Sequence, residues 1–227
     1  MTVKKEENRI SNGVKIPFQK IEKIAISRFR SALSCHDWDH VERVYNLSQI
    51  IGKKEKADMD IIKVAALLHD IKRSEEMLSG GKFCHALKGA KEAEKILRSL
   101  DLEKKFIAAV KHCIEAHRFR NNIQPVSLEA KVLSDADKLD ALGAVGVGRA
   151  FLWSGKVGAR LHNSDIKDIF ITEAHGKEDT LYREFMVKLR RLKDKMFTKT
   201  GRKIAQERTV FMKNFLKRLD NEVKGKL

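Results

Sequence analysis

An all-α fold is predicted for this chain, on three observations. Apolar residues recur at three- and four-residue spacing instead of alternating, as on helices with one face against a core. Only two prolines, Pro17 and Pro125, occur in 227 residues, and each stands where a helix could begin. There is neither an internal repeat nor a low-complexity tract, so a solenoid is not indicated.

Each element follows from local signals. A first helix is read over 17–33, opened by Pro17. A second covers 37–51, with Val44, Leu47 and Ile51 on its inner face. A third covers 58–72, with Asp58 as its cap and the apolar run Ala65, Ala66, Leu67, Leu68 near its end. Helices over 84–99 and 102–118 follow, the latter preceded by Asp101. Ser127 caps a helix over 126–142, where Val132, Leu133, Ala136, Leu139 and Leu142 are apolar, and another runs over 144–154. Gly155 to Asp179 reads as irregular, a lid or an insertion. Helices over 179–197 and 200–222 close the chain. Leu181, Phe185, Leu189, Leu192 and Met196 mark the inner face of the first, and Ile204, Phe211, Phe215 and Leu219 that of the second. The predicted organisation is one helical domain over 1–227, with a core at about 30–155, an irregular segment at 156–180 and a C-terminal helical extension at 181–227.

A chain this long can bury roughly 70% of its unfolded surface and needs no staples. No run of about 18 apolar residues is present, and the N-terminal residues lack the apolar stretch of a signal peptide, so no membrane partner is expected. Three cysteines, Cys35, Cys84 and Cys113, without a C-x-x-C pair fit reduced thiols and a cytoplasmic location. The net charge of +16 is concentrated at the ends. Residues 1–34 carry 8 Lys/Arg against 3 Asp/Glu, and residues 182–227 carry 15 against 5. The middle is nearly balanced, with 24 against 23. Solvated helix faces explain this surplus best, with steering of anionic substrates as a secondary role.

Polar residues interrupt three of the apolar helices. His36 and His40 share one face of the helix that carries Val44, Leu47 and Ile51. His69 and Asp70 directly follow Leu67 and Leu68. Asp135, Asp137 and Asp140 interrupt the apolar face at 131–144. A buried carboxylate without a partner costs several kcal/mol or neutralises. Two imidazoles and two carboxylates around one divalent cation would satisfy these groups together, and neutral His with ionised Asp suits Mn, Fe, Co, Ni or Zn.

The order H…HD…D, here His40, His69–Asp70 and Asp137, resembles the HD-domain superfamily of metal-dependent phosphohydrolases. The words HDWDHVERVY, LLHDIKR, HALKGAKEAEKIL, IEAHRF and DADKLDALGAVGVGRAF are similar to its small bacterial and archaeal hydrolases. The resemblance implies an HD-type helical bundle with packed N- and C-terminal helices, and one divalent metal ion (Mn, Co, Ni, Fe, Mg or Zn) held by His40, His69, Asp70 and Asp137. Asp137 is chosen over its neighbours because A-D-x-L-x-A is the usual family setting of that ligand. Asp140 and His36 are candidates for standing behind the ligands and orienting one of them or a water. Lys72, Arg73, His85 and His117 are candidates for substrate contact. His85 and His117 also resemble histidines that some branches use for a second metal, but the His-His pair of those branches is replaced here by His117–Arg118, so phosphate or supporting contacts are preferred.

The implied reaction is hydrolysis of a phosphate ester or anhydride by a water that the cation activates. The substrate would be a nucleotide, cleaved by a triphosphate pyrophosphohydrolase or a phosphomonoesterase. The competing reading is a non-catalytic HD protein that binds nucleotide, or nucleic acid through its basic termini. Aromatic residues are 7% of the chain and are not interleaved with the basic runs, which disfavours nucleic acid. A monomer or a homodimer fits equally. HDWDH lacks the Glu of H-E-x-x-H, GAVGVG follows a helix and lacks Lys-Ser/Thr, and the Cys-His pairs lack zinc-site spacing, so these three patterns are set aside.

Overall fold

A computed structural model of the chain describes residues 10–11, 14–29, 37–118 and 123–226. His36, Cys35 and the predicted end of the first helix at 30–33 lie outside the described residues. The fold is all-α, with one addition: the two-residue strands β1 (Ile10–Ser11) and β2 (Val14–Lys15) pair antiparallel, Ile10 with Lys15 and Ser11 with Val14. The chain divides into two compact units, Met1–Ser134 and Asp135–Leu227. The dividing point lies inside a helix.

The first unit is layered around one apolar helix. Helix α1 (Phe18–Phe29) buries Ile21, Ala25 and Phe29 at four-residue spacing. Helix α2 (Trp38–Glu55) starts where Asp37 accepts a hydrogen bond from the His40 amide, and it buries Val41, Val44, Leu47 and Ile51. Helix α3 (Met59–Leu68) is capped by Asp58, which accepts from the amides of Asp60 and Ile61, as expected. Its residues Val64 to Leu68 are all buried, and it packs against α1, α2 and the later α6. The predicted run to residue 72 stops early. The chain turns at His69 and Asp70 and enters a short helix, α4 (Arg73–Leu78), that local signals do not announce. Helix α5 (His85–Arg98) buries the small residues Ala86, Gly89, Ala90 and Ala93 and packs against α6 (Lys104–Ala116). Asp101 takes a left-handed backbone (φ 54°) at the exit from α5, and Glu103 directly precedes α6. Helix α7 (Leu128–Leu139) starts with the Ser127 hydroxyl accepting from the Ala130 amide.

In the second unit, α8 (Gly143–Lys156) packs against α9 (Leu181–Val187) and α10 (Lys199–Val223). The segment between α8 and α9 is irregular apart from a 3₁₀ turn at Ile169–Ile171, as expected. The single helix predicted over 179–197 is broken. At Lys188 (φ −132°, ψ −58°) the backbone leaves helical values and continues as a 3₁₀ helix, Leu189–Lys195. Leu181, Phe185, Leu189 and Met196 are buried nonetheless. On α10 the inner face is turned by about one residue from the predicted one. Ala205, Thr209, Met212 and Leu216 are buried, while Phe211 is 46% exposed. Two amphipathic registers compete on this helix, and close approach favours the smaller one. A Cβ on Gly201 would meet the Asp135 carboxylate at 2.5 Å, so the glycine lets α10 start hard against α7. The GAVGVG stretch serves packing in the same way: a Cβ on Gly146 would collide with the Ala141 carbonyl. No helix among the described residues is long and apolar enough to cross a membrane.

Candidate metal centre

Four imidazoles surround one carboxylate in the first unit. His40, one turn into α2, is 1% exposed; His69, which caps the C-terminal end of α3, is 0% exposed; and Asp70 is 3% exposed. His85 opens α5 and His117 closes α6, both buried. The C-terminal ends of α3 and α6 therefore both lie beside the cluster. Helix C-termini carry partial negative charge, which favours a cation there.

The partner of each Nδ1 assigns the tautomer. His69 Nδ1 donates to the Ala66 carbonyl at 2.8 Å, and His117 Nδ1 donates to the Ile114 carbonyl at 2.6 Å. His85 Nδ1 donates to Glu76 Oε2 at 2.7 Å. In all three rings the proton sits on Nδ1 and the lone pair of Nε2 points into the cluster. A ligating histidine is ordinarily held in this way, its other nitrogen donating to a carbonyl or carboxylate.

The separations match a shared ion. Donors about 2.1 Å from one ion lie about 3.0 Å apart at right angles and about 3.4 Å apart at tetrahedral angles. Nε2 of His85 is 3.0 Å from Asp70 Oδ1, Nε2 of His117 is 3.5 Å from it, and the two ring nitrogens are 3.3 Å apart. On the other side of the same carboxylate, Oδ2 lies 3.6 Å from His40 Nε2 and 3.9 Å from His69 Nε2, themselves 3.3 Å apart. Inward lone pairs at such distances repel, and a cation between them removes the repulsion. Asp70, His85 and His117 each offer a donor atom within 4.8 Å of the others, a group able to hold a metal. The donor set of imidazole and ionised carboxylate thus fits a divalent cation of the kind inferred from sequence.

A second carboxylate supports the first. Glu76 on α4 is 6% exposed and accepts from Arg73 Nη1 at 2.7 Å and Arg118 Nη1 at 2.5 Å as well as from His85. Burial opposes its ionisation, but the hydrogen bonds from His85 and Arg118 hold its carboxyl at about 2. Neither Glu76 nor Arg118 was singled out from sequence. SEEM reads as a solvated stretch, and only the turn after Asp70 brings it back against α5. Of the predicted substrate contacts, Arg73 pairs with Glu76 at the edge of the cluster. Lys72 instead pairs with the exposed Glu75 at 2.5 Å. His85 and His117 lie inside the cluster itself.

The three aspartates at 135, 137 and 140, in α7 and just past its end, separate by environment. Asp135 is buried and committed: it accepts from the Phe197 amide at 2.9 Å, and from the Thr198 amide at 2.8 Å and hydroxyl at 2.7 Å. Asp140, a candidate for standing behind the ligands, pairs with Arg149 at 2.5 Å. Asp137 lies between them and is half-buried. It is three residues beyond Ser134, whose hydroxyl donates to the His117 carbonyl at 3.2 Å.

The HD domain family model matches residues 37–142. YpgQ of Bacillus subtilis (strain 168), described as an uncharacterized protein, is 38% identical over 197 residues, spanning 85% of this chain and 86% of YpgQ. The crystal structure of YpgQ in complex with ADP superposes with a TM-score of 0.69 at 33% identity, covering 92% of this chain and all of that one (100%). An HD-superfamily hydrolase from Bacillus thuringiensis gives a TM-score of 0.71 at 28% identity, over 91% of this chain and 96% of that one. Fold and centre together define a helical protein built to bind divalent metal through histidine and aspartate. The chain belongs to the HD-domain superfamily.

Proposed function

We propose that this protein is a metal-dependent phosphohydrolase that cleaves a phosphate ester or anhydride of a nucleotide. The observation that carries this reading is the buried Asp70 carboxylate with two imidazoles on each oxygen. His40, His69 and Asp70, with Asp137 supplied by α7, are the proposed ligands of one divalent ion. His85 and His117, given substrate-contact roles from sequence, are better read as ligands of a second ion that shares Asp70, because their Nε2 lone pairs converge on Oδ1. When bound, such ions lower the pKa of a coordinated water and polarise a phosphoryl oxygen.

The chain's own groups then do the rest. The Nδ1 hydrogen bonds of His69, His85 and His117 fix the tautomers and the turn of the rings. Arg73 and Arg118, half-exposed at the rim, offer guanidinium donors to phosphate oxygens and offset charge that builds on them. The apolar walls of α3 and α6 exclude bulk water, which strengthens these interactions. A nucleotide substrate is supported by the ADP complex of YpgQ. Within that class, release of pyrophosphate from a nucleoside triphosphate is proposed first and phosphomonoester hydrolysis second.

The test is a panel of nucleoside mono-, di- and triphosphates assayed with Mn, Co, Ni, Mg and Zn, alongside the metal content of the purified protein. Turnover is expected with at least one metal and in none of the chelated samples. Asp70→Ala should lose bound metal and at least a hundredfold in rate; retained metal and turnover in that variant would falsify the mechanism.

A further inference from the structure

We propose that Glu76 is a positioning residue that sets the ring of His85 for metal capture. This rests on the reading of His85 as a ligand of the second ion. The Nδ1 of His85 meets a carboxylate, whereas those of His69 and His117 meet backbone carbonyls of their own helices. A backbone carbonyl three residues back is fixed by the helix. His85 stands at the first position of α5 and has no preceding turn to supply one. Its orienting acceptor has to come from elsewhere, and α4 supplies it.

Glu76 is placed for this from three directions. Its Oε2 receives the His85 Nδ1–H at 2.7 Å and Arg73 Nη1 at 2.7 Å, and its Oε1 receives Arg118 Nη1 at 2.5 Å. Arg73 Nη1 also lies 3.1 Å from His85 Nδ1. Both nitrogens are donors aimed at one oxygen, which places the imidazole proton toward Glu76. The two guanidiniums compensate the buried carboxylate, so it stays ionised and immobile on a helix of only six residues. With its proton committed outward, His85 presents its Nε2 lone pair toward Asp70 and His117. Carboxylates that hold ligating histidines in this manner typically change metal affinity by about 10–100-fold when removed.

The experiment is an equilibrium titration of metal-free protein with Co(II), followed by visible absorption, for the native protein, His85→Ala, Glu76→Ala and Glu76→Gln. Native protein should show two binding steps, and His85→Ala should lose one. Glu76→Ala should weaken that same step by about 10–100-fold and leave the other unchanged. Glu76→Gln, whose amide oxygen can still accept the Nδ1–H, should lie in between. A salt bridge of purely structural value would lower thermal stability and move neither step. If His85→Ala binds like the native protein, the second-ion reading fails and this proposal falls with it. If His85→Ala loses a step while both Glu76 variants keep it at native affinity, the positioning role alone is overturned. Should Glu76→Ala fail to fold by circular dichroism, the near-isosteric Glu76→Gln decides.

Discussion

Cys113 and Cys84 show how one residue type takes different chemistry from its surroundings. Cys113 sits within α6 at 0% exposure, and burial, with a smaller effect of the Glu129 charge, pushes its thiol up to about 12. Cys84, just before α5, is half-exposed, with the Arg118 guanidinium 3.7 Å from its sulfur. Thiolate is the nucleophile, so Cys113 should stay unmodified when the native protein is treated with iodoacetamide at pH 8, as read by peptide mapping, while Cys84 reacts. Alkylation of Cys113 at the rate of Cys84 would contradict the packing of α6. The same local logic explains the legibility of the candidate ligands. His40, His69 and Asp70 stand out in the sequence because they follow or interrupt apolar runs, and a polar side chain there must find a partner. Glu76 stands in a polar stretch, where nothing demands one, so its burial is invisible until α4 is placed.

The elements give the aspartates of α7 their separate roles. Asp135 joins α7 to the start of α10, accepting both backbone amides and the hydroxyl there, and Gly201 leaves room for its carboxylate. Asp135→Ala leaves buried donors without acceptors and should destabilise the protein by on the order of 3 kcal/mol in urea titration. It should keep native metal content once folded. Asp137→Ala should do the reverse, losing metal while changing stability by less than about 1 kcal/mol. Equal metal loss in both variants would remove the distinction. At this scale the sequence reads well where caps and periodicity are strong: Asp58 and Ser127 start α3 and α7 as expected. It reads poorly where two packings compete, as on α10, or where a turn is forced by its neighbours, as at α4 and at Lys188. Local propensity is a weak prior that packing overrides.

Across the molecule, the irregular segment between α8 and α9 is knitted by buried polar bonds. Asp179 accepts from the Trp153 indole at 3.0 Å, the His175 amide at 2.9 Å and Arg183 at 3.0 Å, while Thr180 donates to Asn163 at 2.5 Å. Burial alone would raise the Asp179 carboxyl, but its hydrogen bonds from His175 and Trp153 and the charge of Arg183 hold it below the usual range. A carboxyl lowered by folding contributes stability above its unfolded value of about 3.9, and the contribution fades as pH falls through the folded value. Asp179→Asn should therefore melt several degrees below the native protein at pH 7, and the gap should close as the pH drops below about 4. A gap independent of pH would assign the effect to packing alone.

By itself the sequence determined the helical class and most of the inner faces, and it made His40, His69, Asp70 and Asp137 candidates for a common partner. Apolar periodicity and the cost of burying charge act along a single helix, so a linear reading reaches them. Only the tertiary structure decided that His85 and His117 meet the same carboxylate as His69, that Glu76 and two arginines stand behind them, and that Asp135 and Asp140 are engaged elsewhere. Those facts depend on which helix ends come together in space, and no periodicity within one segment encodes the angle at which another arrives.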